Sequence, residues 1–137
     1  MSVLVTAALF IYAYYMTVST LANLLQATIH TGENLLNLEI KCACGADLMS
    51  DVMAFVKEEV VLLTGLTNLQ AIRTAEIMDI RVIVFVRGKK PDREMIELAK
   101  EKNMALLSTD SSLFISCGKL YKAGLTGAGV RPIQDFH

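Results

Sequence analysis

Three short apolar runs, at 60–63 (VVLL), 82–86 (VIVFV) and 105–107 (ALL), constrain this chain most. Each ends in small, polar or basic residues: Thr64-Gly65-Leu66-Thr67-Asn68, Arg87-Gly88-Lys89-Lys90, and Ser108-Thr109-Asp110-Ser111. A helix-patterned segment follows each one. Apolar runs alternating with amphipathic segments predict an α/β fold: a single compact domain with a mainly parallel β-sheet flanked by helices. Right-handed crossovers bring the ends of the three strands to one edge of the sheet, where open parallel sheets bind ligands.

The chain has 137 residues, enough for one domain with a core, and 53% of them are hydrophobic against 20% charged, which excludes disorder. The formal net charge of −1 provides no basic field for nucleic acid, and with aromatics at 7% and Trp absent there is no stacking platform for single strands. No nucleic-acid partner is expected. The three cysteines are an odd number, which fits a reduced, cytoplasmic setting better than a disulfide framework. The first charge is Glu33, and 3–15 is almost wholly apolar. That run is short against the roughly 20 residues of a spanning helix, and no basic residue flanks it. Three readings of 1–15 stay open: an extension upstream of a true start at Met16, an extra buried or exchanged segment, or a membrane helix, in that order of preference.

The domain proper is expected over 16–125, with 126–137 a loose Gly-rich tail. Thr17 or Ser19 caps a helix bearing Leu21, Leu24 and Leu25 on one face. Strands are expected over 27–31, closed by Gly32, and 38–44, closed by Gly45. Asp47 is the expected N-cap of a helix that buries Leu48, Met49, Val52, Met53 and Val56. The later helices start near Asn68, with Pro91 in the first turn, and after Asp110 or Ser111. The last of them is expected to bury Leu113, Phe114, Cys117, Leu120 and Tyr121 and to end at Gly124.

The loops carry the candidate chemistry. Thr64, Gly65 and Asn68 precede a helix N-terminus, where backbone N–H groups hold anions. Arg87, Gly88 and Lys89 belong to the densest positive patch and also precede a helix. Ser108 and Thr109 offer hydroxyls for a ribose or phosphate, or for helix capping. Cys42 and Cys44, two apart on a strand, share a face and are weak candidates for a metal; small buried cysteines is the plainer reading. Cys117 lies on a buried stripe. His30 is isolated in the text and His137 ends the chain, so no nucleophile–base pair assembles. The pairs Glu58/Glu59 and Asp92/Glu94 read as solvated charges. No phosphate-loop or dinucleotide fingerprint is present, and no cofactor is expected.

Taken together, the stretch from Thr31-Gly32-Glu33 through Ala46-Asp47-Leu48-Met49-Ser50-Asp51-Val52-Met53 resembles the opening of the DRTGG domain family. Val61-Leu62-Leu63-Thr64-Gly65, then Val84-Phe85-Val86-Arg87-Gly88-Lys89-Lys90-Pro91 and Leu106-Leu107-Ser108-Thr109-Asp110 continue the likeness, which covers about 17–125. The signature itself is altered: Leu66-Thr67-Asn68 stands for its Asp-Arg, and Arg87-Gly88-Lys89 for its Thr-Gly-Gly. The resemblance implies a regulatory or associative module, not an enzyme. Such domains occur beside CBS domains in regulated pyrophosphatases and ahead of phosphotransacetylase catalytic domains, a similar fold precedes the kinase of the phosphocarrier HPr, and they also stand alone. They often contribute oligomer contacts, so a homodimer or another protein partner is implied. Stand-alone forms resemble proteins encoded near redox and hydrogenase-type genes. The expectation is therefore a non-catalytic domain that binds an anionic nucleotide or phosphometabolite. The alternatives are an accessory protein of a redox system using Cys42 and Cys44, and a purely structural dimerisation module.

Overall fold

The computed structural model describes residues 15–54 and 59–127. The apolar stretch before Tyr15, Val56, Glu58 and the tail beyond Gly127, including His137, lie outside these. Continuous runs of Val, Ile, Leu and Phe are strands that can be buried on both faces. They form β5 (Val60–Thr64), β6 (Val82–Phe85) and β7 (Ala105–Ser108), every residue of which is buried. The remaining strands are β1 (Met16–Thr17), β2 (Thr28–Thr31), β3 (Glu39–Ile40), β4 (Cys42–Gly45) and β8 (Thr126–Gly127). The helices are α1 (Val18–Leu25), α2 (Met49–Val52), α3 (Leu69–Ile77), α4 (Arg93–Glu101) and α5 (Leu113–Lys122).

The main sheet has the order β2-β7-β6-β5-β4-β8. Its neighbours are parallel except β2, which runs antiparallel along β7. Because β4, β5, β6 and β7 step in one direction across the sheet, right-handed crossovers place α2, α3 and α4 on one face. Cys44, Val60, Leu62, Ile83, Phe85 and Leu106 pack there against Met49, Ile72, Ala75, Met95 and Ala99. The alternate residues Val61, Leu63, Val82, Val84, Ala105 and Leu107 point to the other face, against Leu21 and Leu25 of α1 and Leu120 of α5. Each Leu, Ile or Phe buried in these two layers contributes about 1.5–3 kcal/mol of transfer free energy. After β7, α5 crosses the sheet on this second face and sets β8 beside β4.

Several local expectations are corrected. The segment expected as one strand over 38–44 is two: β3 pairs with β1 in a separate small sheet, and β4 joins the main one. Asp47 does not cap α2; the N-cap is Leu48, with no side-chain bond, because the Asp47 carboxylate is engaged elsewhere. Leu48 and Met53 are exposed, since the single turn of α2 buries only Met49 and Val52. Pro91 is buried just outside α4, whose cap is Asp92, accepting from the Met95 N–H at 2.9 Å. Asp92 is thus exposed, as expected of a solvated charge, and also caps the helix. In α5 the buried stripe runs through Ser116 and Leu120, so Phe114 (83% exposed) and Tyr121 (76%) face outward. Thr126–Gly127, expected in the tail, form β8. The Gly124 terminus holds: its N–H donates to Tyr121 O and the Leu125 N–H to Leu120 O, closing a Schellman motif.

Candidate functional site

The loops after β4, β5, β6 and β7 share the C-terminal edge of the sheet. Strand β5 ends at buried Thr64, and the chain turns at Gly65 before Asn68 caps α3, accepting from the Ala71 N–H at 3.3 Å. Across this turn lies Asp47, delivered by the end of β4. Its Oδ1 accepts the Gly65 N–H at 2.7 Å and the Thr64 hydroxyl at 3.4 Å, and its Oδ2 accepts Arg87 Nη1 at 3.4 Å. Three donors from two loops therefore converge on one carboxylate. They hold the Asp47 carboxyl below its ordinary pKa, the Gly65 N–H most, then Arg87 and Thr64, with burial opposing them. The ion pair has both side chains about half exposed and is worth only about 0–1 kcal/mol, so the charge-assisted bond from Gly65 is the stronger link.

Gly65 leaves room for the Arg87 guanidinium. A Cβ there would lie 2.7 Å from Arg87 Cζ, so the guanidinium rests over a bare backbone. Arg87 itself adopts a left-handed backbone, φ 59°, and Gly88 follows at φ 71°. Their amides fix the two neighbouring loops to each other: Arg87 N–H donates to Ser111 O at 2.8 Å and Gly88 N–H to Thr109 O at 3.0 Å.

The eight residues expected to bind thus divide. Thr64, Gly65 and Arg87 meet around Asp47. Asn68 is spent on the α3 cap and Gly88 on the loop-to-loop bond. Thr109 is buried and donates its hydroxyl to Leu25 O at 2.7 Å, closing the end of α1. Lys89 is exposed and has no salt-bridge partner among the described residues. Ser108 turns toward the sheet margin, where its Oγ lies 2.7 Å from His30 Nε2. His30 is therefore not isolated: the antiparallel β2 carries it alongside β7. Burial, and then the positive charge of Lys90, push its pKa down.

Two other regions fit an anion less well. A recess of about 160 Å³ at the opposite edge of the sheet is lined by Glu39, Glu59 and Asp79 as well as Arg81. That balance of charge repels what the Arg87 loop attracts. Cys42 and Cys44 do share a face of β4, but the Cys44 thiol is pushed up to about 12, by burial first and then by Cys117 and Asp51. With no metal bound it is the protonated thiol at neutral pH. Among the described residues no group of three or more His, Cys, Asp or Glu is placed to hold a metal ion.

Asp47 is the residue that sequence reasoning assigned to the wrong task. Its position before a helix read as a cap, and nothing local signals that it reaches the next loop 18 residues away.

No protein-family model matches the chain, and no curated protein matches it. Among solved structures, the fold is similar to the CBS and DRTGG domains of the regulatory region of Clostridium perfringens pyrophosphatase, complexed with its activator, diadenosine tetraphosphate. The TM-score is 0.63 at 16% identity, over 91% of this chain and 58% of that one. At this identity the likeness shows a DRTGG-like α/β fold. The chain spans a little under three fifths of the solved chain it matches.

Proposed function

We propose that the chain is a non-catalytic regulatory domain of the DRTGG type that binds an anionic nucleotide or phosphorylated metabolite at the C-terminal edge of its sheet. The observation that carries this reading is the convergence of the Gly65 N–H, the Thr64 hydroxyl and the Arg87 guanidinium on a single carboxylate. A donor set that holds one oxyanion suits another. Lys89 adds an exposed charge beside it. Asn68, Gly88, Ser108 and Thr109 shape the edge through their caps and cross-loop bonds. The domain comprises 16–125 extended by the β8 pairing, and its free thiols Cys42, Cys44 and Cys117 suit a cytoplasmic setting. No helix among the described residues is long and apolar enough to cross a membrane. A homodimer is part of the proposal, with the outward Phe114 and Tyr121 of α5 as its contact.

The test is a thermal-shift screen against mononucleotides, phosphorylated metabolites and dinucleoside polyphosphates such as diadenosine tetraphosphate, the activator bound by the similar pyrophosphatase region. A ligand at about 100 times its Kd adds about 2.7 kcal/mol, which raises Tm by several degrees. Arg87→Ala should abolish the shift. A panel that leaves Tm unchanged, or a shift indifferent to Arg87, overturns the reading.

A further inference from the structure

The anion site described above already holds an anion. Both oxygens of Asp47 are used, one on Gly65 and Thr64 and one on Arg87, so the carboxylate spans the place that two oxygens of a phosphoryl group would take. Building on the proposed anion-binding role, we infer that Asp47 is a tethered occupant of this site: a phosphoryl group binds by displacing it, and the release is passed through Leu48 to α2.

Three observations support this. First, the backbones that carry the donors are held by other contacts. The Arg87 amide bonds to Ser111 O, and Thr64 Oγ1 also accepts the Leu66 N–H at 3.0 Å. Removing Asp47 therefore leaves the Gly65 amide and the Thr64 hydroxyl in place, and frees the Arg87 guanidinium, bonded among the described residues to Asp47 alone, to meet an incoming anion. Second, Asp47 is not needed by its own helix, whose N-cap is Leu48 without a side-chain bond. Upstream, Ala46 is anchored by its N–H to Leu63 O, and downstream the turn begins with the Asp51 N–H on Leu48 O. Among the described residues neither the Asp47 nor the Leu48 N–H donates to another backbone group, so the Asp47 side chain is what ties this link down. Third, α2 is a single turn tied to the core by two buried side chains, Met49 and Val52, with Leu48 and Met53 exposed on either side, so loosening it uncovers those two side chains and no more of the helix.

The same geometry selects the ligand. A tethered carboxylate competes at an effective concentration of the order of millimolar, which excludes ordinary free carboxylates. A phosphoryl group brings up to about two charges and three acceptor oxygens, against one charge and two oxygens, and can win. Its apparent affinity is reduced by the fraction of molecules in which Asp47 has let go.

The experiment is an NMR titration of the full chain with inorganic tripolyphosphate, reading the Gly65 amide for binding and the 49–53 amides for hydrogen exchange. Asp47→Asn should bind about tenfold more tightly than wild type, if the cradle is free about a tenth of the time. Asp110→Asn removes the same charge from the same edge, beside Gly88 and not Gly65, and should change affinity less than about twofold. Saturating wild type should speed exchange across 49–53. If wild type binds at Gly65 but Asp47→Asn binds no better, or Asp110→Asn gains equally, the displacement is wrong while the anion site stands. If the Gly65 amide responds in neither protein, both are wrong. Should Asp47→Asn not fold, the wild-type exchange decides alone, and unchanged exchange at saturation overturns the inference.

Discussion

A residue with a side chain pays about 1–2 kcal/mol to sit in the left-handed region, and Arg87 does so at the centre of the candidate site. The backbone is held by its amide bond to Ser111, and the half-exposed guanidinium lies over Gly65 at the end of β5. His30 sits at a β-bulge, where pairing with β7 shifts register between Ile29 and Thr31. Its pKa is below the ordinary 6.5 in the folded protein, because burial and Lys90 disfavour the imidazolium. The unfolded chain therefore takes up the proton first as pH falls. Stability from this group is complete above about pH 6.5 and is lost on descending toward the folded pKa. Urea midpoints at pH 7.5 and pH 5 should differ more for wild type than for His30→Gln. Equal differences would mean that burial and Lys90 do not set the charge state of His30.

At the scale of elements, the helices are fixed by short polar caps. Asn68, Asp92 and Ser112 each accept an amide of the first turn, Ser112 from Ile115 at 3.2 Å. Ser112→Ala should cost about 1 kcal/mol in urea unfolding with little change in m-value. A loss below the error of the measurement would show that α5 is held by packing alone. The elements legible in the sequence are those whose signal is local: β5, β6 and β7 as unbroken apolar runs, and α3 and α4 from a cap plus a 3.6-residue stripe. Those missed depend on distant partners. The direction of β2 is decided by β7, some 75 residues later. The break between β3 and β4 is decided by the separate pairing of β3 with β1. In α5 the apolar residues form too wide an arc for composition to tell the sheet side from the outside, and Ser116, which is buried, lies where an apolar residue would be expected. The candidate site was legible as loops at one edge and not as contacts, because the carboxylate that joins two of them comes from a strand end outside the three runs.

For the molecule as a whole, Phe114 and Tyr121 are seven residues apart on one flank of α5, next to a recess of about 190 Å³ that Tyr121 also lines with Ala43, Cys117 and Leu125. If copies associate through this flank, sedimentation should give a dimer for wild type and a monomer for Phe114→Glu/Tyr121→Glu, with unchanged circular dichroism. A wild-type monomer, or a variant that still dimerises, would remove α5 from the contact. The opposite kind of surface lies along the margins of the main sheet. Its interior strands are the sort of uncharged, β-branched text that stacks into fibrils when left open. Among the described residues, one margin is β2, kinked by its bulge and carrying a polar imidazole, and the other is β8, two residues long. Neither offers a straight, apolar ladder for another chain to extend. Among the described residues, a sequence of mean hydropathy +0.45 thus keeps its most aggregation-prone segments in the middle of the sheet, flanked by strands that are irregular or short.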